Sequence, residues 1–363
     1  MLRIPRPFKN PALSIGMALA LVIGASIIPW SAEQPQAAAG VPVSIEQFGR
    51  YIDDWSEPEG YFDSDNFISN ETSYLHVIDD LHSRVRPGGI YLGVGPDQNF
   101  SYIVHTRPML GIITDIRRQN MLEHLLFKAL FAMASNRSDY LSLLVSRERL
   151  NIKPGASLPD LLAAVRDSST NETLFNKNFA AVKNTLQKYR LKLSAEDLDK
   201  IKLVYETFWK EGLQLRFSSI GRNNAAQYPT LAEMFLETSK SGKLENYLAS
   251  EEQFQWLKKF EAENRLIPIV GDFAGTHALS AVAAFLGDPN FPTYTEEKVK
   301  GAQIYLFMRL YEQYSRLSFA HPTDRPVAIA GLEKRLTSAF HDRGGAGIFQ
   351  NHLGSLFTME TSR

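Results

Sequence analysis

The stretch 89–118 holds the residues whose types and spacing best suit ligand chemistry. Gly93 and Gly95 form a G-x-G pattern directly after a short apolar run, and Asp115 lies 22 residues (115 − 93) beyond Gly93. Glycine lets a backbone approach a ligand that a side chain would block. A carboxylate at this distance can accept hydrogen bonds from a ribose. The pattern predicts a nucleotide-type site, although Pro96 follows Gly95 and no third glycine opens the next helix.

A second stretch of the same kind lies far along the chain. The first strand end, 93–99, also carries Asp97 and Asn99, and the second, 271–275, carries Asp272 between two glycines. In an open α/β sheet, ligands bind at the carboxyl ends of the strands. We therefore predict that both strand ends line one small-molecule pocket. An ordinary strand-to-helix turn is the alternative interpretation of either motif.

The elements that must position these residues are visible as apolar runs. Runs at 90–92, 110–113 and 266–270 predict three strands of a parallel sheet, with a helix connecting the first two. Residues 119–134 predict a strongly apolar helix, and 136–263 a large helical insertion. The chain should thus have an α/β fold with a Rossmann-like sheet.

Several local signals refine this organisation. Residues 41–85 should be mostly helical, with Asn70 as a candidate N-cap. Further helices should begin at Ser194, Thr230 and Ser250, each followed three residues later by an acidic or amide side chain. Thr276 can cap a helix over 278–286.

Histidines offer no clear catalytic base. Glu123 and His124 lack the rest of a metal-binding motif and predict a helix-surface pair. His105 should lie in the helix between the first two strands. His277, just past Asp272, is the better candidate base, but a surface histidine with satisfied hydrogen bonds is the simpler interpretation.

Composition excludes several function classes. The chain has 363 residues, a net charge of −1 and no cysteine. Cysteine-based disulfides, nucleophiles and metal sites are therefore excluded, and no long basic run suggests a nucleic-acid partner. The sequence has no G-x-S-x-G elbow and no metal-ligand cluster, so neither a hydrolase nor a metal cofactor is predicted.

Residues 1–40 predict a targeting segment. Arg3, Arg6 and Lys9 precede an uncharged stretch at 11–32, and 37–39 offer an A-x-A cleavage site. The apolar part is long for a signal peptide and barely long enough to span a bilayer, so a cleaved signal and a membrane anchor both stay open. The basic N-terminal side predicts that the body lies on the non-cytoplasmic side.

Three longer blocks resemble a known family: FDSDNFISNETSYLHVI (62–78), IYLGVGPDQNFSYIVHTRPMLGIITDIRRQNMLEHLLFKALF (90–131), and YPTLAEMF with NYLASEEQFQWLKKFEAENRLIPIVGDFAG (within 228–275). They resemble an uncharacterised, mainly bacterial family with a fold like class I S-adenosylmethionine-dependent methyltransferases, over about residues 45–287. The resemblance implies that Gly93 and Gly95 lie against the methionine part of the cofactor. It also implies that Asp115 holds the ribose hydroxyls and that Asp272 lies beside the ligand.

The tail, 288–363, departs from this pattern. Its segment at about 308–350 resembles a piece of fungal heterokaryon-incompatibility-type proteins, through YEQYSRLSFAHPTDRPVAIAGLEKRLTSAF and GGAGIF. The methyltransferase-type domain would then span 41–287, and its sheet could be truncated at the C-terminal strands.

Two hypotheses of function follow. The first is a methyltransferase-like protein with a pocket for S-adenosylmethionine or a nucleotide-like molecule. The second is a non-catalytic, exported or membrane-anchored binding or structural protein that keeps the fold only. The missing third glycine, the export signal and the doubtful end of the sheet favour the second hypothesis, but the sequence as a whole favours the first, a methyltransferase-like fold with its catalysis unassigned.

Overall fold

Three parallel strands form the sheet that carries the predicted ligand residues. They are β1 (Ile90–Gly93), β2 (Leu110–Asp115) and β3 (Leu266–Val270), in the order β1-β2-β3. The register places Gly93 beside Ile113, and Asp115 beside Val270. Every residue of β2 and β3 is buried, as expected for parallel strands that are covered on both faces. The three predicted strands and the α/β class are confirmed.

The computed structural model describes residues 42–286 apart from 63, 86, 154, 219–224 and 273–276, together with 344–345 and 348–349. The last two pairs form short antiparallel strands, β4 (Gly344–Gly345) and β5 (Ile348–Phe349). The predicted targeting segment, the candidate cap Thr276 and most of the tail lie outside the described residues.

Helices make up much of the remaining described chain. They are α1 (Ile45–Trp55), α2 (Ile78–Arg84), α3 (Gln98–Thr106), α4 (Arg118–Met133), α5 (Arg137–Leu144), α6 (Leu158–Asp167), α7 (Glu172–Gln187), α8 (Ala195–Glu211), α9 (Leu231–Leu236), α10 (Glu251–Ala262) and α11 (Ala278–Leu286). The helices α5 to α10 occupy the region predicted to be a helical insertion. Its described part holds no strand, only the isolated bridge Arg216–Thr230.

The predicted helix starts at Ser194, Thr230 and Ser250 are confirmed. Each side chain accepts a hydrogen bond from the backbone N–H three residues later, and Ser194 and Thr230 form complete capping boxes. The prediction for Asn70 is wrong, because the next helical turn begins after Ser73 without a side-chain cap. Ser69 instead accepts a hydrogen bond from the N–H of Glu71 in a local turn.

Helix α4 lies at the centre of the described domain. It packs against β2 and β3, and also against α7, α8 and α10. Twelve of its 16 residues are buried. A helix that is covered on nearly every side buries whatever polar residues it carries, and this decides the environment of its charged side chains.

Residues 41–85 are less helical than predicted. After α1, an irregular segment extends to residue 73, before one 3₁₀ turn (Tyr74–Val77) and α2. Part of this segment, residues 56–69 apart from 63, bonds to the loops after β2 and β3, and we call it the covering segment. The N–H groups of Glu57 and Gly60 donate to the carbonyls of Val270 and Ile116 instead of to helical partners.

Candidate functional site

The fold itself accounts for both glycines of the predicted ligand loop. A Cβ atom on Gly93 would lie 2.1 Å from Oδ1 of Asn99 and 2.7 Å from the ring of Tyr91. Gly95 has a φ of +84°, which side chains rarely adopt. Close packing therefore requires the first glycine and a tight turn requires the second, with no ligand involved.

Asn99 holds this turn together. Its Nδ2 lies within hydrogen-bonding distance of the carbonyl oxygens of Val94, Gly95 and Pro96, at 2.9, 3.2 and 2.8 Å. Its Oδ1 accepts a hydrogen bond of 2.6 Å from the Tyr91 hydroxyl. Both ends of the buried amide are thus used within the chain. In this arrangement Asn99 shapes the loop rather than facing an open pocket.

Asp115, the predicted ribose acceptor, is paired with Arg117. Its Oδ1 accepts from the backbone N–H and from Nε of Arg117, at 2.9 and 3.1 Å, and its Oδ2 accepts from Nη2 at 3.2 Å. Both side chains are buried. Nη1 of Arg117 also donates to the carbonyl oxygens of Ser64 and Asp65. The strand-end carboxylate therefore anchors the covering segment through Arg117.

The covering segment crosses the carboxyl ends of the strands. Near β3, the N–H of Glu57 donates to the carbonyl of Val270 at 3.0 Å. Near β2, the N–H of Gly60 donates to the carbonyl of Ile116 at 2.8 Å. Near β1, Nδ2 of Asn66 comes within 3.5 Å of the Cβ position at Gly95. The edge where an open α/β sheet binds ligands is here lined by the protein's own chain.

Asp272 is held at the end of β3. Its backbone N–H donates to Oε1 of Glu57 at 2.6 Å, and the neighbouring Gly271 packs against Thr114 and Ala278. The contacts of the described residues bring Gly95, Asp97, Asn99 and Asp115 around the first half of α4. The backbone N–H of Gly271, next to Asp272, donates to the carbonyl of Asp115 at 2.9 Å, so the end of β3 lies beside the end of β2.

Asp97 borders a small cavity. This cavity measures about 10 Å³, room for about one water molecule, and Tyr74 and Gln98 also line it. Burial raises the pKa of Asp97 to about 6, against a hydrogen bond of 3.0 Å from the Tyr247 hydroxyl that lowers it. A carboxyl with this pKa can gain or lose a proton near neutral pH.

Glu123 and His124 are not a surface pair, and that prediction is wrong. Each is about 1% exposed, because the apolar residues on all sides of α4 are covered by the sheet and by other helices. Burial raises the pKa of Glu123 well above its usual value, and the charge of Asp97 raises it further. Burial lowers the pKa of His124 to about 4, although its hydrogen bond to the carbonyl of Gly95 acts in the opposite direction.

A sequence signal for these buried residues does exist. Helix α4 has large apolar residues on every face, as in MLEHLLFKALF, and a helix that is hydrophobic all round is buried. Polar residues within such a helix must then be buried with it. Glu123 and His124 could have been recognised as interior residues on this ground.

The two histidines considered as candidate bases make ordinary contacts. His105 lies in α3, as predicted, and its Nε2 bonds to the carbonyl of Glu245 at 2.7 Å while its Nδ1 lies 2.9 Å from His82. His277 is exposed, and its Nε2 bonds to the carbonyl of Asp54 at 2.9 Å. The interpretation of His277 as a satisfied surface histidine is confirmed.

S-adenosylmethionine would need an open glycine loop, an available carboxylate after β2 and a cavity of several hundred Å³. In this arrangement Asn99 fills the space beside Gly93 and Arg117 binds Asp115. These residues do not fit the cofactor as they stand, and its binding stays a prediction.

Within the described ranges, no group of three or more acidic, histidine or cysteine side chains could hold a metal ion. No helix of the described part is long and apolar enough to cross a membrane.

Comparison with known families gives one match. Residues 66–190, about a third of the chain, are similar to a domain of unknown function, DUF7790. No curated protein sequence matches the chain. The matched region contains β1, β2 and α4, with Gly93, Asp115 and Glu123, but not β3 or Asp272. The chain is thus similar to DUF7790 in the part that holds the glycine loop and the buried residues of α4.

Proposed function

We propose that this protein is a non-catalytic, exported or membrane-anchored protein in which the α/β sheet is a scaffold. One observation carries the proposal: the covering segment lies across the carboxyl ends of β2 and β3 and is fastened there by the pair Asp115–Arg117. A methyltransferase needs this edge free for its cofactor. Here the same edge provides backbone hydrogen bonds and a buried ion pair.

The pairing of the strands supports the proposal as well. In a doubly wound sheet of order 3-2-1-4-5-6, the glycine-bearing first strand lies in the middle. Among the described strands, β1 pairs with β2 alone, and β2 occupies the middle position. Only Gly93 of β1 is buried. The glycine turn thus follows the least buried of the three described parallel strands.

The location is inferred from the N-terminal sequence. Residues 1–40 carry the charge asymmetry and apolar stretch of an export signal or anchor. S-adenosylmethionine is made and held in the cytosol, so a body on the other side of the membrane would lack the methyl donor. Fractionation of cells expressing the full chain tests this point. Protein that stays in the soluble cytosolic fraction, with residues 1–40 still attached, would contradict it.

Thermal unfolding of the full chain tests the scaffold proposal directly. We expect an unchanged midpoint with S-adenosylmethionine, its demethylated product, and a panel of nucleotides. A ligand present at 100 times its dissociation constant would stabilise the folded state by about 2.7 kcal/mol, which such a measurement detects.

The methyltransferase-like hypothesis predicts the opposite result. It is favoured by the parallel strands β1 and β2, by the glycine turn after β1, and by Asp115 at the end of β2. A saturable rise in the midpoint that Asp115→Asn removes, and that the exposed control Asp79→Asn retains, would establish this hypothesis and overturn the scaffold proposal.

A further inference from the structure

One face of α4 carries buried polar atoms that have no partner. Asn120, Glu123 and His124 are spaced i, i+3 and i+4, so their side chains share a face of the helix. Each is at most 2% exposed. Among the described residues, nothing bonds to Nδ2 of Asn120, to either carboxyl oxygen of Glu123, or to Nδ1 of His124. Buried polar groups nearly always have partners, so this concentration of unpaired atoms on one face points to a bound species.

The unpaired atoms are mostly hydrogen-bond acceptors. The Gly95 carbonyl can only accept, so Nε2 of His124 must be the donor in their 2.8 Å bond. The neutral imidazole then presents a lone pair at Nδ1. Together with the two oxygens of Glu123 this makes three acceptors, against a single amide donor on Asn120. The missing partner is therefore rich in donors.

The surrounding charges favour a cation. The charges of Asp97, Asp115 and Asp65 all act on Glu123, and so does that of Arg117. The guanidinium of Arg117 bonds to Asp115 and makes no hydrogen bond to Glu123. An unpaired buried carboxylate is costly, and a cation nearby removes that cost.

A proton alone does not complete the site. Protonation of Glu123 would remove its charge but would still leave one of its two oxygens unpaired. A bound group with several N–H donors satisfies both oxygens and the charge together. A metal ion is a poorer occupant, because no metal-binding group of three side chains occurs within the described ranges.

We propose that Glu123 and His124 form a binding site for a small cation that donates hydrogen bonds, namely ammonium or the ammonium head of a primary amine. Glu123 supplies the charge and two acceptors, and His124 supplies a third acceptor. Asn120 lies on the same helix face, but its unpaired Nδ2 is a donor and does not bond to the cation. The site is independent of the scaffold proposal, because an ammonium-sized group does not require the strand ends to open.

Thermal unfolding of the full chain in matched chloride salts tests this site. Ammonium chloride is compared, at equal ionic strength, with potassium chloride and with tetramethylammonium chloride, whose cation has no N–H donor. We expect ammonium alone to raise the midpoint, by on the order of 3 °C at ten times its dissociation constant. Equal midpoints in all three salts would mean that buried water fills the site, and would overturn the proposal. An equal rise of the midpoint in potassium chloride would also overturn the proposal, because potassium has no N–H donors and the hydrogen bonds would then not contribute to binding.

A variant and its control locate the effect. Glu123→Gln keeps the shape of the side chain and should lose the ammonium response, whereas the exposed control Glu172→Gln should keep it. A retained response in a folded Glu123→Gln protein would overturn the assignment. If this variant does not fold, the wild-type protein with ¹⁵N-labelled ammonium still decides. Bound ammonium should show N–H proton signals in slow exchange with solvent, and their absence at saturating ammonium would refute the site.

Discussion

Lys128 and Glu123 are both buried on α4, five residues apart (128 − 123), but only Lys128 has a paired side chain of opposite charge among the described residues. Nζ of Lys128 lies 3.3 Å from Oε2 of Glu261. It also lies 4.6 and 4.9 Å from the ring centroids of Phe48 and Tyr189. Burial lowers the pKa of Lys128, while the nearby carboxyl of Glu261 raises it. Glu123 has no hydrogen-bond partner among the described residues.

This difference shows that the fold can satisfy a buried charge completely. The pair Lys128–Glu261 and the pair Arg117–Asp115 each match a cation with a carboxylate. Two carboxyls lack such a cation: Asp97 follows the glycine turn after β1, and Glu123 lies on α4 next to His124, which bonds to that turn. An excess of buried acid in one region is the pattern that perturbed functional sites show, although structural networks can produce it too.

Breaking the satisfied pair at Lys128 should have the largest effect. Lys128→Met leaves the buried carboxyl of Glu261 without its cation, so the free energy of unfolding should fall by about 3–5 kcal/mol at neutral pH. Urea unfolding followed by circular dichroism measures this loss. The exposed control Lys177→Met should stay within about 0.5 kcal/mol of wild type. Equal values for the two variants would show that the pair does not stabilise the fold.

Removing Arg117 should be nearly as damaging. Arg117→Met leaves Asp115 without its guanidinium and takes the donor from the Ser64 and Asp65 carbonyls. We expect a loss of about 3 kcal/mol, and faster proteolytic cleavage within the covering segment. Arg166→Met, at an exposed ion pair, is the control and should change little. An unaltered cleavage rate would contradict the role of Arg117 as the fastening of that segment.

Removing the unpaired carboxyl of Asp97 should instead raise the free energy of unfolding. The pKa of Asp97 rises from 3.8 to about 6 on folding. Its contribution to the free energy of unfolding is therefore most favourable below pH 3.8 and falls as the pH rises to about 6. Asp97→Asn does not titrate, and its Oδ1 can still accept from Tyr247. Relative to wild type, the variant should gain up to about 3 kcal/mol between pH 4 and pH 7, at about 1.4 kcal/mol per pKa unit. A difference that does not change with pH would show that Asp97 ionises normally in the folded protein.

Substitution of Gly93 in the glycine loop should cause the smallest loss in the free energy of unfolding. Gly93→Ala would place a Cβ atom 2.1 Å from Oδ1 of Asn99, and the neighbouring side chains would have to move. We expect a loss of about 1–2 kcal/mol. Gly89→Ala is the matched control, because nothing lies within 4 Å of its Cβ position. Equal thermal midpoints for both variants would show that the turn is loosely packed.

Local sequence patterns were sufficient for many elements of the fold. The apolar runs predicted β1, β2 and β3, and Ser194 and Thr230 predicted two helix starts, because each signal depends on neighbours within a few residues. The covering segment could not be predicted in the same way. Its hydrogen bonds join residues 57 and 60 to residues 270 and 116, and nothing local to 56–69 specifies those partners.

The sequence alone determined which residues with chemical potential are present: the paired glycines, the acids at 97, 115 and 272, and the Glu-His pair of α4. The tertiary structure decided what each of them contacts. It placed Arg117 on Asp115 and Asn99 beside Gly93, and it enclosed Glu123 within the domain. The physical reason is that hydrogen bonding and burial depend on distant parts of the chain coming together. A motif records only the order of residues along the chain.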